Sequence, residues 1–410
     1  MFNCSVWFSH WLAYWVKHLH LYYTHTITAI EAVQKIIDSA LYLHASDIHI
    51  EPVEEDVRIR YRIDGLLHEH GTIDKTFSPQ IISRIKIIAH TDVAEKRLPQ
   101  DGKITFHTAQ TTVDLRVSTF PTLWGEKIVI RILDRKHSLL GLESVGLLPE
   151  IYVRIKKIIH TPQGFFLVTG PTGAGKTTTL YALLSELVSS CKNIVTLEDP
   201  IEYTLCGITQ SQIATDIGFT FAKGLRALLR QDPDIIMIGE IRDTDTALVS
   251  VQAALTGHLV ISTLHTPDTA SVPFRLIDMG VEPFLLTSLT GVLAQRLLRL
   301  LCSACKIKRN TTEVEQAFFL KHQAEISYVL FTAVGCADCY FTGHKGRIGI
   351  FELLVISPEL KVFFTQSLKK DHLYQEVLAK NTYSFAQDGI AKVQQGLVDI
   401  QELQAFMGLD

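Results

Sequence analysis

The stretch at 170–177 constrains this chain more than any other, because it fits the pattern G-x-x-x-x-G-K-[ST] without a mismatch. An apolar run at 165–169 precedes it and leucines at helical spacing follow it, which predicts a buried strand before the pattern and a helix after it. In that context glycines let backbone N–H groups surround phosphate oxygens, and the helix N-terminus adds its positive dipole end. The stretch therefore predicts an ATP or GTP site.

Specific roles follow from the chemistry of such a loop. Lys176 is expected to reach the β- and γ-phosphates, and Thr177 is expected to hold Mg²⁺. The predicted nucleotide-binding residues are Gly170, Pro171, Thr172, Gly173, Ala174, Gly175, Lys176, Thr177 and Thr178.

Charge and hydropathy narrow the class of protein. The chain has 410 residues, enough for about two or three domains. Its formal net charge of -4 argues against broad affinity for nucleic acid. No apolar run approaches the roughly 20 residues that span a bilayer, and no stretch is typical of a cleaved signal. We therefore expect a cytoplasmic protein whose cysteines are reduced.

Residues 1–26 are predicted to be a Trp-rich helical leader of uncertain role. Trp7, Trp11 and Trp15 recur every four residues and would share one helix face. A helix packed on this protein or on a partner is one interpretation, and a helix at a membrane interface, where Trp is favoured, is another. A disordered or wrongly started leader is the third.

The periodicity of the remaining chain predicts two domains. Residues 27–135 combine a helical stripe with strands whose apolar residues alternate with arginines, which predicts a small α+β domain. Residues 136–150 break both periodicities and indicate a linker. Residues 151–410 alternate short apolar runs with helical segments, the pattern of a mostly parallel sheet covered on both faces. The predicted fold class is α/β, a RecA-like P-loop domain.

Acidic residues and histidines stand at the ends of predicted strands in the second domain. Glu198 follows the strand at 194–197, and Glu240 follows the strand at 235–238, where open α/β sheets bind ligands. We predict that Glu240 activates the attacking water and that Glu198 helps to order Mg²⁺ and water. His258 and His265 bound a further strand. A lone histidine is often structural, but beside a phosphate loop we favour imidazoles that sense the γ-phosphate.

Four cysteines form two C-x-x-C pairs. Cys302, Cys305, Cys336 and Cys339 match a closed tetrahedral Zn²⁺ site, although the roughly 30 residues between the pairs exceed the usual spacing of about 15 to 20. A redox pair is the alternative, but redox C-x-x-C motifs normally come singly. We predict a structural zinc element over 302–339 within the second domain.

Several motifs carry a family resemblance when they are taken together. They are Glu198-Asp199-Pro200-Ile201-Glu202, Gly239-Glu240-Ile241-Arg242-Asp243, Ser262-Thr263-Leu264-His265-Thr266, Ala294-Gln295-Arg296-Leu297 and, upstream, Ala45-Ser46-Asp47-Ile48-His49-Ile50-Glu51-Pro52. With these motifs the chain, from about residue 27 to its end, resembles the ATPases that drive type II secretion and type IV pilus assembly.

The resemblance implies a homohexameric ring, peripheral at the inner membrane, that is bound to a platform protein and hydrolyses ATP to assemble pilin-like subunits. It also implies that the small α+β domain is PAS-like and supplies arginines to the phosphates. Arg116 and Arg131 match by position, and Arg97 is a further candidate. An arginine delivered on closure would stabilise transition-state charge.

The sequence departs from the family pattern in two ways. The usual first N-terminal domain is not matched, which leaves recruitment by a membrane-anchored partner open. Lys103 stands where arginine is expected. Within the family we favour the type II secretion branch, to which the motifs at 251–258 and 280–286 are closer, whereas the motif at 122–127 is closer to pilus assembly.

Two hypotheses from other classes stay open at this stage. A hexameric nucleic-acid translocase is one, since RecA-like rings often have that activity, but the acidic balance and the lack of an aromatic and basic stacking face argue against it. A scaffold that binds nucleotide without hydrolysing it is the other.

Overall fold

The structure is a computed structural model that describes residues 21–24, 26–108, 112–133, 141–366, 377 and 383–408. The described residues form two compact units. The first contains the chain before residue 138 together with Cys302–Lys306 and Ala333–Gly346, and the second contains the rest. The tryptophans of the predicted leader lie outside the described residues. Within the described residues, no helix is both long enough and apolar enough to cross a bilayer.

The first unit is a seven-stranded sheet with two helices on one face. The strands run in the order β1-β4-β3-β2-β7-β6-β5, and the β1–β4 pair is parallel whereas the other neighbours are antiparallel. Its elements are β1 (Leu21–Tyr23), α1 (Ala29–Tyr42), β2 (Asp47–Pro52), β3 (Asp56–Ile63), β4 (Leu66–Asp74), α2 (Ser78–Ile88), β5 (Gln100–His107), β6 (Thr112–Thr122) and β7 (Gly125–Leu133). The small α+β architecture predicted for this part of the chain is present.

Alternation along the strands decides which face of this sheet is buried. On β3 the side chains of Val57, Ile59 and Tyr61 point into the core beneath α1 and α2, because successive residues of a strand face opposite sides. The helix α1 begins at a capping box in which Thr28 and Glu31 satisfy each other's backbone N–H groups. Helix and sheet therefore bury their apolar sides together.

The opposite face of this sheet is charged and internally paired. Glu51 on β2 accepts hydrogen bonds from Arg60 (2.7 Å) and Lys127 (2.8 Å), and Asp47 on the same strand accepts one from Arg131 (3.1 Å). Arg60 and Arg131, two of the arginines predicted on strand faces, are thus each held by a carboxylate of the neighbouring strand β2.

The second unit is built on a second seven-stranded sheet, in the order β10-β9-β11-β12-β8-β13-β16, in which the edge strand β16 is His344–Val355. Each neighbouring pair from β10 to β13 in that order is parallel. Every residue of the central strands β8, β11 and β12 is buried, as expected for strands covered on both faces. The mostly parallel α/β fold predicted for this domain is confirmed. The elements that form the sheet and its cover are α3 (Pro149–Ile159), β8 (Gly164–Thr169), α4 (Lys176–Leu187), β9 (Ile194–Glu198), β10 (Thr209–Gln212), α5 (Phe221–Leu228), β11 (Ile235–Ile238), α6 (Thr244–Leu255), β12 (Leu259–Leu264), α7 (Ser271–Asp278) and β13 (Leu289–Leu301).

A smaller apolar cluster lies near the C-terminal end of the second unit. Its centre is formed by buried side chains such as Phe319, Leu330 and Leu403. The remaining elements are β14 (Ile307–Asn310), α8 (Glu313–Lys321), β15 (Val329–Thr332), β16 (His344–Val355), α9 (Pro358–Gln366), α10 (Phe385–Gln394) and α11 (Ile400–Phe406). The short antiparallel pair β14–β15 lies between the two cysteine-bearing segments in sequence.

The cysteine-bearing segments were predicted to belong to the second domain, but in the structure they group with the first unit. Tyr340 packs against the apolar core of that unit, and the N–H of Gly346 donates to the carboxylate of Asp64 at 2.9 Å. Sequence order could not show this grouping, because it depends on contacts between segments hundreds of residues apart.

Candidate active site and tetracysteine cluster

The phosphate loop joins the end of β8 to the start of α4, as its pattern predicts. Gly170, Gly173 and Gly175 have φ angles of 150°, 80° and 85°, a region that other residues rarely adopt. A Cβ atom on Gly170 would also lie 2.5 Å from the carbonyl oxygen of Gln295. Both the turn and its close packing therefore require glycine, and the loop leaves the N-terminus of α4 at its mouth.

Lys176 is the first residue of α4 and is buried. Its Nζ donates to the carbonyl oxygens of Gly170 (2.8 Å) and Pro171 (2.9 Å). Burial lowers the pKa of Lys176 to about 8, although the negative charge of Glu240 opposes that shift. The ammonium group is thus held against the loop, in a site that penalises its charge.

The next two residues of the pattern differ in exposure. Thr177 is exposed at the start of α4, and Thr178 is partly buried. An exposed hydroxyl beside the mouth of the loop is the kind of hard oxygen ligand that Mg²⁺ accepts. The exposure of Thr177 therefore fits its predicted role.

Glu240 follows β11 and is hydrogen-bonded on both carboxylate oxygens. Oε1 contacts Nη2 of Arg242 at 2.5 Å, and Oε2 contacts Nε2 of His265 at 3.1 Å. Burial favours the neutral acid, but the hydrogen bonds from Arg242 and His265 outweigh it and lower the pKa of Glu240. Glu240 is therefore a carboxylate near neutral pH, and its side chain is still partly open to solvent.

His265 connects this carboxylate to the lysine of the loop. Its Nε2 faces Glu240, and its Nδ1 lies 3.5 Å from Nζ of Lys176. Both contacts fit the neutral tautomer that carries its proton on Nε2. The carboxyl ends of β11 and β12 and the loop after β8 thus contribute one chain of polar contacts, from Glu240 through His265 to Lys176.

His258 does not join that chain. It precedes β12, whereas His265 follows it, and its backbone oxygen accepts from the N–H of Gly164 at the start of β8. Its Nδ1 donates to the carbonyl oxygen of Ala253 at 2.9 Å. Because β8 and β12 are parallel, this end of the sheet is opposite to the phosphate loop. Within one chain His265 therefore lies beside the phosphate loop and His258 does not, and a role of either histidine in sensing the γ-phosphate stays a prediction.

Glu198 ends β9 and is 3% exposed. Tyr181 donates to its Oε2, while Thr196 (2.5 Å) and Gln210 (3.0 Å) donate to its Oε1. The side chain lies at the expected edge of the sheet, but its oxygens are occupied by groups of the same chain. Of the two predicted carboxylates, Glu240 is the one that solvent reaches.

Three residues of this site carry no role in the sequence prediction. Arg242 binds Glu240 and lies 3.9 Å from Asp199. Gln295 on β13 accepts a hydrogen bond from Thr179 on α4 (2.7 Å), and Arg296 beside it donates to the carbonyl oxygen of Pro267. These residues lie within the motifs Gly239–Asp243 and Ala294–Leu297 that the sequence already distinguished, but nothing in their spacing indicates what they touch.

The three arginines predicted to reach the phosphates all belong to the first unit. Arg131 on β7 is bonded to Asp47, and in sheet register it lies opposite Arg116 on β6. Arg97 pairs with Glu95 at 2.8 Å and is 88% exposed at its side chain. Their predicted catalytic role stays a prediction.

The four cysteines of the two C-x-x-C pairs form one cluster. Their sulfurs all lie within 4.8 Å of one another, and three of the pairs are separated by 3.7, 3.8 and 3.9 Å. Tetrahedral zinc with Zn–S bonds of about 2.3 Å requires sulfurs about 3.8 Å apart. Cys302, Cys305, Cys336 and Cys339 therefore fit Zn²⁺, and no fifth ligand position is needed.

Backbone donors near this cluster favour a thiolate at one cysteine. The N–H groups of Cys336 (3.2 Å) and Gly343 (3.3 Å) point at the sulfur of Cys339. Burial raises the pKa of this thiol, but these hydrogen bonds, together with those from the thiols of Cys305 and Cys336, outweigh it and bring the pKa to about 7. Burial raises the pKa of Cys305 to about 12 instead. Four thiolates at neutral pH would therefore need the charge of a metal ion.

The chain matches the family described as "Type II/IV secretion system protein" over residues 24–405. Its relatives include the type II secretion system protein HxcR of Pseudomonas aeruginosa, 46% identical over 91% of this chain and 76% of HxcR, and the type II secretion system ATPase E of Vibrio cholerae, 44% identical over 91% and 74%. The type IV pilus assembly ATPase PilB of Thermus thermophilus is 43% identical over 91% of this chain but 42% of its own length.

Solved structures agree on the fold. The ATPase DotB of Legionella pneumophila superposes with a TM-score of 0.68 over 93% of this chain and 96% of DotB, at 21% sequence identity. At that identity the comparison shows the fold alone.

Proposed function

Since the chain belongs to the type II/IV secretion system protein family, we propose that it is an ATP-hydrolysing motor of type II protein secretion. The enzyme class, an ATP hydrolase, follows from that membership. The single observation that carries the catalytic proposal is the chain of contacts from Glu240 through His265 to Lys176 beside a complete phosphate loop.

Each residue of that chain has a task that its surroundings support. Lys176 and the loop N–H groups bind the β- and γ-phosphates. Glu240, ionised and open to solvent, accepts the proton of the attacking water, and His265 holds Glu240 in place. Thr177, at the solvent-accessible carboxyl edge of the sheet, would hold Mg²⁺, which neutralises phosphate charge when it is bound. Glu198 is buried, accepts hydrogen bonds from three side chains and stabilises the same edge of the sheet.

The tetracysteine cluster serves structure rather than catalysis. Four thiols saturate a tetrahedral ion, so no position remains for a substrate or a water. Zn²⁺ held there would lock two segments, Cys302–Lys306 and Ala333–Gly346, into the first unit. The element therefore serves to hold these two segments together.

The assembly and location of the motor are further parts of the proposal. We propose a homohexamer, peripheral at the inner membrane, that acts on an inner-membrane platform protein and is recruited by a membrane-anchored protein. The two relatives with "type II secretion" in their names, each covered over more than 70% of its length, support this branch. Pilus assembly is the alternative, and the similarity to PilB supports it.

The test is phosphate release by the purified protein. We expect Mg²⁺-dependent hydrolysis of ATP by a hexamer, and stimulation by acidic phospholipid or by the cytoplasmic part of a platform protein. A hexamer that binds ATP but releases no phosphate, even beside its platform partner, would contradict the enzyme proposal. Stimulation by DNA with no response to lipid or platform would instead support a nucleic-acid translocase.

A further inference from the structure

Tyr181 is a buried residue of the phosphate-loop helix for which the sequence pattern predicts no role. It is 1% exposed and lies four residues after Thr177, one turn along α4 on the same face. Its hydroxyl donates to the Glu198 carboxylate at the end of β9. In the sheet, β9 is separated from the loop strand β8 by β11 and β12, so this hydrogen bond reaches across the carboxyl edge of the sheet.

The segment after β9 is fastened to the same hydroxyl. The N–H of Glu202 donates to the Tyr181 oxygen at 3.4 Å, and the ring of Tyr203 meets the Tyr181 ring edge-on with centroids 4.4 Å apart. Gln210 on β10 donates to Glu198 (3.0 Å) and to the carbonyl oxygen of Tyr203 (3.1 Å). Tyr181 and Gln210 thus both tie this segment to Glu198.

This segment also reaches the catalytic carboxylate. Asp199 directly follows Glu198 and lies 3.9 Å from Arg242, which is hydrogen-bonded to Glu240. A shift of the segment would therefore move a charge that acts on Arg242, and through it on Glu240. The hydrogen bond from Tyr181 to Glu198 is the first in this series of contacts, which begins at helix α4 and ends at Glu240.

We propose that Tyr181 is a positioning residue, which fixes the segment at 198–205 relative to the phosphate-loop helix and thereby holds Arg242 and Glu240 in register with the bound phosphates. The inference rests on the proposed ATPase function. It assigns Tyr181 no contact with the nucleotide, so the residue acts only through Glu198 and its neighbours.

The chemistry of the hydroxyl suits a permanent link. Burial, and after it the hydrogen bond to Glu198, raises the pKa of Tyr181 far above its usual value. The hydroxyl therefore keeps its proton across the physiological range and remains able to donate to Glu198. Replacing it by phenylalanine removes the donor and leaves the ring that packs against Tyr203.

Tyr181→Phe in the full-length chain tests the proposal, with Tyr383→Phe as the matched control. Tyr383 also donates to a carboxylate, Glu150 at 2.6 Å, but at the surface of the second unit. We expect Tyr181→Phe to lower kcat about tenfold while the KM for MgATP changes less than about twofold. Tyr383→Phe should leave both constants unchanged. A kcat for Tyr181→Phe within twofold of the wild type would overturn the proposal.

A double-mutant cycle separates positioning from a general loss of stability. If Tyr181 acts through Glu198, Tyr181→Phe combined with Glu198→Gln will be no slower than Glu198→Gln alone. Independent, multiplicative losses would contradict that route. If Tyr181→Phe melts far below the wild type, Gln210→Met, which removes the second tie, gives the same kinetic test. A wild-type protein without Mg²⁺-dependent hydrolysis would refute the proposed function itself, which is a different outcome from an active wild type with an equally active variant.

Discussion

The phosphate loop of the second unit and the tetracysteine cluster of the first both gather several polar groups around one ligand position, and they do so with opposite degrees of closure. The loop leaves Thr177 exposed and Glu240 partly open to solvent. The cluster presents four sulfurs within 4.8 Å of one another and no open place among them. A site that must exchange a substrate and admit water needs accessible ligands, whereas a site that must hold two segments together needs saturation.

The origin of the two sites differs as well. The loop is contiguous, so its conformation depends on the glycines within it and on the strand and helix at its ends. The cluster joins two segments whose paired sulfurs are 34 positions apart in the chain. We therefore expect changes at the loop to alter turnover and changes at the cluster to alter stability.

The largest expected effect tests the open site. Glu240→Gln keeps the size of the side chain but removes the charge that accepts a proton, so turnover should fall by about 100-fold or more while ATP binding persists. The measurement is phosphate release together with nucleotide affinity. Glu186→Gln, which breaks a pair with Lys156 elsewhere on the second unit, is the control and should change turnover less than about twofold. Full activity of Glu240→Gln would move the catalytic role to Glu198.

The two histidines test whether position at the sheet edge matters. His265→Ala removes the link between Glu240 and Lys176, so we expect a loss of about tenfold in kcat. His258→Ala is the control, because His258 lies at the other end of the same strand. Its kcat should change little. Equal losses of kcat in both variants would contradict the expectation that only the histidine beside the phosphate loop matters for turnover.

The pH dependence of ATP binding tests the charge of the loop lysine. The pKa of Lys176 lies near 8 and below its usual value, so the charged form is lost as pH rises through that region. Bound phosphate needs the charged form, so affinity for ATP should fall about tenfold between pH 7 and pH 9. The same depressed pKa makes folding relatively more favourable above about pH 8, because the unfolded lysine keeps its proton longer. Lys176→Arg, which stays charged, should bind with no such pH dependence; a parallel fall in that variant would refute the assignment.

The smallest expected effect on turnover comes from the closed site. Cys336→Ser removes one ligand, so zinc content should fall from about one per chain to nearly none, and the melting temperature should drop by about 5 °C or more. Turnover of the protein that remains folded should change only about twofold. Cys191→Ser, at an exposed cysteine outside the cluster, should retain zinc. Zinc retained in Cys336→Ser, or absent from the wild type, would contradict the closed metal site.

Local patterns were sufficient for the parts of this protein that depend on neighbours in sequence. The strand, loop and helix around 164–187 follow from an apolar run, glycines with positive φ and leucines at helical spacing, all within about 25 residues. The buried strands β8, β11 and β12 were recognisable as continuous apolar runs. The two C-x-x-C pairs indicated which four cysteines cluster, since each pair is local and four thiols in two such pairs match a tetrahedral metal site.

Only the tertiary structure decided the partners of these groups. The sequence already placed His258 and His265 at the two ends of one strand, but only strand order and direction put the end with His265 beside Glu240 and Lys176. The same order brought Tyr181 to Glu198, and long-range packing assigned the cysteine segments to the first unit. Residue type and spacing specify a backbone conformation over a few residues, because local sterics act at that range. Which side chains then meet is decided by how strands order and helices pack, a cooperative outcome that no short stretch contains.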